Sequence, residues 1–195
     1  VIIVAAFRRL PENKMRKYVF VLFFAMLMPY GSAQAKALDI FLNNNTASIE
    51  YLTTFGGADV GFGYLYNTSG DWIAHAAMLV FGREYNSTSR IEGGLGGKAY
   101  LANIGGSSVT AIGLGGQMTY FPKNSKFGFG GYAYYAPSIV TSNAKNLFEY
   151  GVRAEFQMME TASAYIGIHH TDVELAPGVS NVVDDGVHFG VNIRF

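Results

Sequence analysis

Over 195 residues, 14 Lys and Arg balance 14 Asp and Glu, cysteine is absent, and Gly, Tyr and Phe are abundant. Without thiols there is no disulfide framework and no thiolate metal centre, and without a basic patch interleaved with aromatics there is no footing for a nucleic-acid partner. The neutral total hides an asymmetry, because five basic residues but only one acidic residue precede Lys36. Residues 36–195 therefore carry 9 basic against 13 acidic groups, a net charge near −4.

Residues 1–14 lie upstream of Met15 and read as translated leader, outside the fold. Residues 15–35 have the order of a secretory signal peptide. Arg16 and Lys17 form the basic start, Tyr18 to Met28 the apolar core, and Pro29-Tyr30-Gly31 the break before Ala33-Gln34-Ala35. Cleavage is expected after Ala35, or after Ala37 if Ala35-Lys36-Ala37 is used. The apolar run is well short of the roughly 20 residues a membrane-spanning helix needs. Residues 36–195 are then one domain.

That domain breaks into short alternating runs separated by turn residues. Leu38–Leu42 precedes Asn43-Asn44-Asn45; Thr46–Thr53 precedes Phe55-Gly56-Gly57-Ala58-Asp59. Val60, Phe62, Tyr64 and Tyr66 share one face, and Trp72–Tyr85 is a long apolar strand. In Arg90–Ala102, Ile91, Leu95, Ala99 and Leu101 oppose Arg90, Glu92, Lys98 and Tyr100. Val109–Phe121 sets Thr110, Ile112, Leu114, Met118 and Tyr120 on one side. Phe127–Ala136 is Gly- and Tyr-rich and is followed by a loop, Pro137–Asn146. In Leu147–Met158, Phe148, Tyr150, Val152, Ala154, Phe156 and Met158 oppose Glu149, Arg153, Glu155 and Gln157. Ala162–Val173 returns, Glu174–Asp185 is read as the last loop, and Gly186–Phe195 is the closing strand.

Ten strands joined as hairpins make an all-β fold, and two architectures compete. A soluble sandwich would turn one face to water and fill it with Lys and Glu. Here the second face is mostly Gly, Ser, Thr, Asn and Tyr with occasional paired charges, as in a barrel lumen. Aromatics gather at strand ends (Tyr64, Tyr66, Trp72, Phe81, Tyr85, Tyr120, Phe121, Tyr132, Tyr134, Tyr135, Tyr150, Phe195), as interface girdles do. Closure also removes the free edges of a Gly-rich, aromatic sheet. The reading is an antiparallel up-and-down transmembrane β-barrel of about 10 strands, or eight if Leu38–Leu42 only extends its neighbour. With the C-terminus periplasmic, the inner connections are Glu160-Thr161, Pro122–Lys126, Asn86–Ser89 and Phe55–Asp59, all short. The two longest connections fall outside.

The last strand puts Val187, Phe189, Val191, Ile193 and Phe195 on one face and His188, Gly190, Asn192 and Arg194 on the other. An alternating strand ending in Phe resembles the closing strand of outer-membrane barrels. The resemblance implies outer-membrane lipid and lipopolysaccharide as surroundings, and reading of Phe195 by the barrel-assembly machinery. At Tyr134-Tyr-Ala-Pro-Ser-Ile-Val140 and Asn146-Leu-Phe-Glu-Tyr-Gly-Val-Arg-Ala-Glu-Phe156 the chain resembles the YfaZ family of Gram-negative outer-membrane proteins. That resemblance implies a small outer-membrane barrel, sometimes described as a porin, with no catalytic residues to carry over.

Alternation points Glu92, Lys98, Glu149, Arg153, Glu155, His169, His188 and Arg194 into the lumen. Charges cut off from water must be paired there. They read as a side-chain plug in a barrel of structural or surface-interaction role, with a narrow porin-like channel as the alternative. A third reading, an enzyme acting on envelope lipid or peptide, rests on His169-His170-Thr171-Asp172 and Glu174 as triad material. It lacks the Ser-Asn step of lipid A deacylases, so no enzyme and no cofactor are expected. His169 and His170 point to opposite faces, which argues against a joint metal site.

Overall fold

The structure, a computed structural model, describes residues 35–175 and 178–195. The expected leader and the signal peptide as far as residue 34 lie outside them. The strands are β1 (Ala35–Leu42), β2 (Thr46–Phe55), β3 (Ala58–Asn67), β4 (Trp72–Tyr85), β5 (Ser89–Ile104), β6 (Ser107–Pro122) and β7 (Phe127–Ala136). A 3-10 turn at Ser138–Val140 and the two-residue β8 (Thr141–Ser142) lead into β9 (Ala144–Met159), β10 (Ala162–Leu175) and β11 (Val179–Arg194).

Each long strand pairs antiparallel with the next, β7 passes directly to β9, and β8 lies on β6. The pairing of β11 with β1 closes the ring at ten strands. Leu38–Leu42 is therefore a full member of the barrel, with β2 on one edge and β11 on the other. Closure joins the two edge strands, so along the ladders the backbone donors and acceptors of a wall facing lipid are satisfied within the protein.

Side-chain alternation builds the two surfaces. On β5, Leu95 is 76% exposed while Lys98 and Tyr100 are buried. Outward rows such as Ile112–Leu114, Phe148–Val152 and Val187–Ile193 make the apolar belt that a membrane barrel presents to lipid. Lumenal rings are seated on glycines of the neighbouring strand: Tyr132 over Gly151, Tyr165 over Gly190 and His75 over Gly63. A Cβ on Gly151 would lie 2.7 Å from the Tyr132 ring, so the strand can carry no side chain there.

Three expectations are corrected here. Glu174–Asp185 is not a loop, because β10 runs on to Leu175 and β11 begins at Val179. Its polar residues are paired across a hairpin, Asp172 with Val182 and Glu174 with Ser180, and Ser180 Oγ donates to Asp172 at 2.5 Å. The loop from Pro137 is also shorter, since β9 starts at Ala144 and Thr141–Ser142 pairs with β6. That end of the barrel thus projects as extended strands, where polar side chains are solvated without leaving the ladder. Among the aromatics read as girdle, Phe81, Phe121, Tyr132 and Tyr134 turn inward instead; Tyr134 and Phe121 are buried. Phe121, Tyr132 and Tyr134 share the phase of the lumenal glycines on their own strands, and the Phe81 ring lies over Gly94 of β5.

Candidate functional site

The lumen is layered along its axis. At the end carrying the β5–β6, β7–β9 and β10–β11 connections, one apolar cluster includes Leu65, Ile73, Ile104, Val109, Leu147 and Val173. Ile104, Ala136, Leu147 and Val173 have no accessible surface at all. At this end the projecting strands pack inner face on inner face, and their apolar side chains fill the space between them.

Directly below runs a chain of charges. Lys98 Nζ on β5 donates to Glu149 Oε1 on β9 at 2.9 Å, and Tyr100 OH donates to Glu149 Oε2 at 2.7 Å. His169 on β10 stands with Nε2 3.7 Å from the same Glu149 oxygen and 2.9 Å from Thr171 Oγ1. Its Nδ1 is 2.7 Å from Asp184 Oδ2 on β11. Asp184 Oδ1 in turn accepts from Thr46 Oγ1 and Asn43 Nδ2, both at 2.7 Å. Asp184 is inward in the phase of His188, and a β-bulge turns Val183 inward beside it: Thr171 pairs with Asp184 but Asp172 with Val182, leaving Val183 extra. Val183 and Asp184 are consequently both buried, against the alternation of the rest of β11.

A second polar layer lies lower. Arg153 on β9 reaches Asp39 at 3.4 Å and Glu155 at 3.6 Å, and Arg194 reaches Glu155 at 3.5 Å. Asp39 also accepts from Tyr165 OH and from Asn192 Nδ2. His188 sits against Phe41 with ring centroids 4.7 Å apart, and its buried Nδ1 has no hydrogen-bond partner among the described residues. Opposite, His75 on β4 lies 3.5 Å from Glu50 on β2. At the far rim Glu92 is shared by Arg83 at 3.4 Å and Arg90 at 3.5 Å, and Arg90 covers the Phe121 ring. A cavity of about 120 Å³ lies within, lined by Asp39, Glu50, Lys98, Tyr132, Arg153 and His188 among others. That is room for a few waters.

Glu92, Lys98, Glu149, Arg153, Glu155, His169, His188 and Arg194 all occupy inward positions, and Lys98, Glu149 and His169 meet in one network. Glu92 stands apart at the rim. Sequence reasoning missed Asp39, Glu50 and His75, although the same alternation that placed Glu149 would have placed Glu50 on Thr46–Thr53. Thr171, His169 and Asp184 line up as hydroxyl, imidazole and carboxylate, yet the hydroxyl is buried and the imidazole is shared with Glu149. β10 is laddered on both edges, so no pair of backbone N–H groups is free to stabilise an oxyanion. The described residues contain no group of three His, Cys, Asp or Glu placed to hold a metal ion.

A closed ten-stranded barrel with an apolar outer belt and a charged lumen defines a small outer-membrane β-barrel protein. The family described as YfaZ precursor matches residues 15–195, and the chain belongs to that family of bacterial outer-membrane proteins. Curated proteins provide no match. Among solved structures the chain is similar to the KdgM porin at 12% identity, covering 83% of this chain and 99% of that one, with a TM-score of 0.40. It is also similar to the NanC porin at 10% identity (83% and 98% covered, TM-score 0.37). The outer membrane channel DcaP of Acinetobacter baumannii matches at 7% identity (80% and 54% covered, TM-score 0.39).

Proposed function

We propose that this barrel is a narrow pore for small solutes, closed at its outward end by the apolar plug. The observation that carries the reading is the set of ionisable side chains paired in the lumen beneath that plug. Stability alone does not require these charges, because replacing a buried ion pair by packed hydrophobic groups is often neutral or stabilising by about 1–4 kcal/mol. Ionisable groups inside a membrane span are retained for transport or gating far more often than for strength. Lys98, Glu149, Arg153, Glu155, His169, His188 and Arg194 then set which solutes pass, with Glu92 at the periplasmic rim, and Leu147 and Ile104 form the gate by excluding water. Outer-membrane lipid and lipopolysaccharide contact the belt, and the outward row of β11 through Phe195 is the surface we assign to the assembly machinery.

Planar-bilayer recording tests this. The wild-type barrel is expected to be mostly silent, Leu147→Ala with Ile104→Ala to give discrete steps, and Arg153→Ala in that background to change ion selectivity. Folded plug variants that stay silent would sink the pore. They would favour a filled barrel that displays its outer hairpins, a reading the complete burial of Ile104, Ala136, Leu147 and Val173 supports.

A further inference from the structure

At the end carrying the short turns the lumen opens into a vestibule of about 230 Å³, separate from the cavity described above. A cross-strand row runs through it. Tyr85, Arg90 and Phe121 are direct register partners on β4, β5 and β6, so their side chains stand on the same face of the sheet. Phe121 is buried, and the Arg90 guanidinium lies 4.2 Å over its ring, which holds the cation in one orientation. Lys123 of the β6–β7 turn, Asn86 of the β4–β5 turn and Gln157 of β9 complete the lining that matters here. Backbone bonds tie these pieces together: Lys123 N donates to Thr88 O and Gln157 N to Lys126 O, both at 2.8 Å.

The lining is rich in donors and short of negative charge. Arg90 and Lys123 are cationic, and no acidic side chain lines the vestibule. The carboxylate beside Arg90, Glu92, is divided between it at 3.5 Å and Arg83 at 3.4 Å, so one guanidinium charge is left over. Arg90 Nε makes no hydrogen bond among the described residues, and exposed Lys123 makes no ion pair with any of them. Higher in the lumen the pattern is the reverse, since Lys98, Arg153 and Arg194 each face a carboxylate. Asn86 adds donors too: its Oδ1 is committed to the N–H and hydroxyl of both Thr88 and Ser89, which leaves the amide hydrogens to offer. The Tyr85 ring, 69% exposed, gives an apolar flank. Pockets for drug-sized ligands run to about 300–1,000 Å³, so the occupant is smaller than that. We propose that this vestibule binds a small organic carboxylate, its oxygens held by Arg90 and Lys123 and its body against the Tyr85 ring.

The isotope-labelled barrel in a non-ionic detergent is titrated with N-acetylglycinate while its backbone amides are followed by NMR. Saturable shifts are expected at Ser89, Arg90 and Lys123 and none at Gly190. Affinity is expected to fall about tenfold in Arg90→Gln, the loss of one charge-assisted contact, and several-fold in Lys123→Gln. N-acetylglycinamide keeps the body without the charge and is expected to shift nothing. No saturable shift, equal shifts from the amide, or an affinity indifferent to both substitutions overturns the proposal. Inorganic phosphate is the third probe; binding as tight as the carboxylate's would make the vestibule an unselective anion well and overturn the assignment. Should Arg90→Gln not fold, Lys123→Gln on its exposed turn carries the test, and an unchanged affinity there overturns it equally. No current is read, so the result is independent of whether the lumen conducts.

Discussion

Lys98 shows what a single residue holds in this lumen. Its ammonium is buried against Glu149 at 2.9 Å, and Glu149 in turn faces His169. Lys98→Ala leaves that carboxylate buried beside the apolar plug and is expected to cost about 3–5 kcal/mol, whereas Lys98→Met with Glu149→Leu should cost much less. Urea unfolding in detergent micelles measures both; a single variant as stable as wild type would mean the pair ties nothing. Glu149 and Lys98 were legible because their strands alternate cleanly for many residues. Asp39 was not, since one acid in the apolar run Leu38–Leu42 gives too few periods to set a phase. Asp184 was hidden for another reason: Glu174–Asp185 reads as a loop, so the inward phase of His188 was not carried back to it, and the bulge then turns Val183 inward as well.

At the level of the element, β11 divides into a lipid-facing lower part and a projecting upper part. Outward Val187, Phe189, Val191 and Ile193 give way to Asp185, while Val182 lies beyond it. An Arg scan of the outward row is expected to cost about 2–4 kcal/mol at Phe189 and only about 0–1 at Val182. Unfolding in phospholipid vesicles gives the profile, and equal costs would place Val182 in hydrocarbon too. The lower part was readable from its strict alternation. The upper part read as a loop because Asp, Asn, Ser and Gly are turn residues in a soluble context; only the ladder with β10 keeps them extended.

For the whole molecule, the even ring puts both ends of the described barrel at the side of the short β2–β3, β4–β5, β6–β7 and β9–β10 turns. An epitope inserted after Asn143 should bind antibody on intact cells, and one inserted between Gly56 and Gly57 only after the outer membrane is broken. The reverse pattern would invert the orientation and move the plug to the periplasmic side. Strand number and closure were readable in advance, because each hairpin announces itself locally. The plug was not, since it arises from residues on β3, β4, β5, β6, β7, β9, β10 and β11 that meet only when the ring closes.

Alternation alone cannot place one strand against the next. A slip of one residue exchanges lumen for lipid and is penalised at every position, but a slip of two preserves both faces. The ring-on-glycine seats remove that ambiguity. Sliding β9 by two residues against β7 would drive the Tyr132 ring into Glu149 or Arg153 in place of Gly151, and a like slip at Gly190 would strand the Tyr165 ring against a filled position. The glycines therefore act as detents that fix the shear of the barrel, and with it the bore.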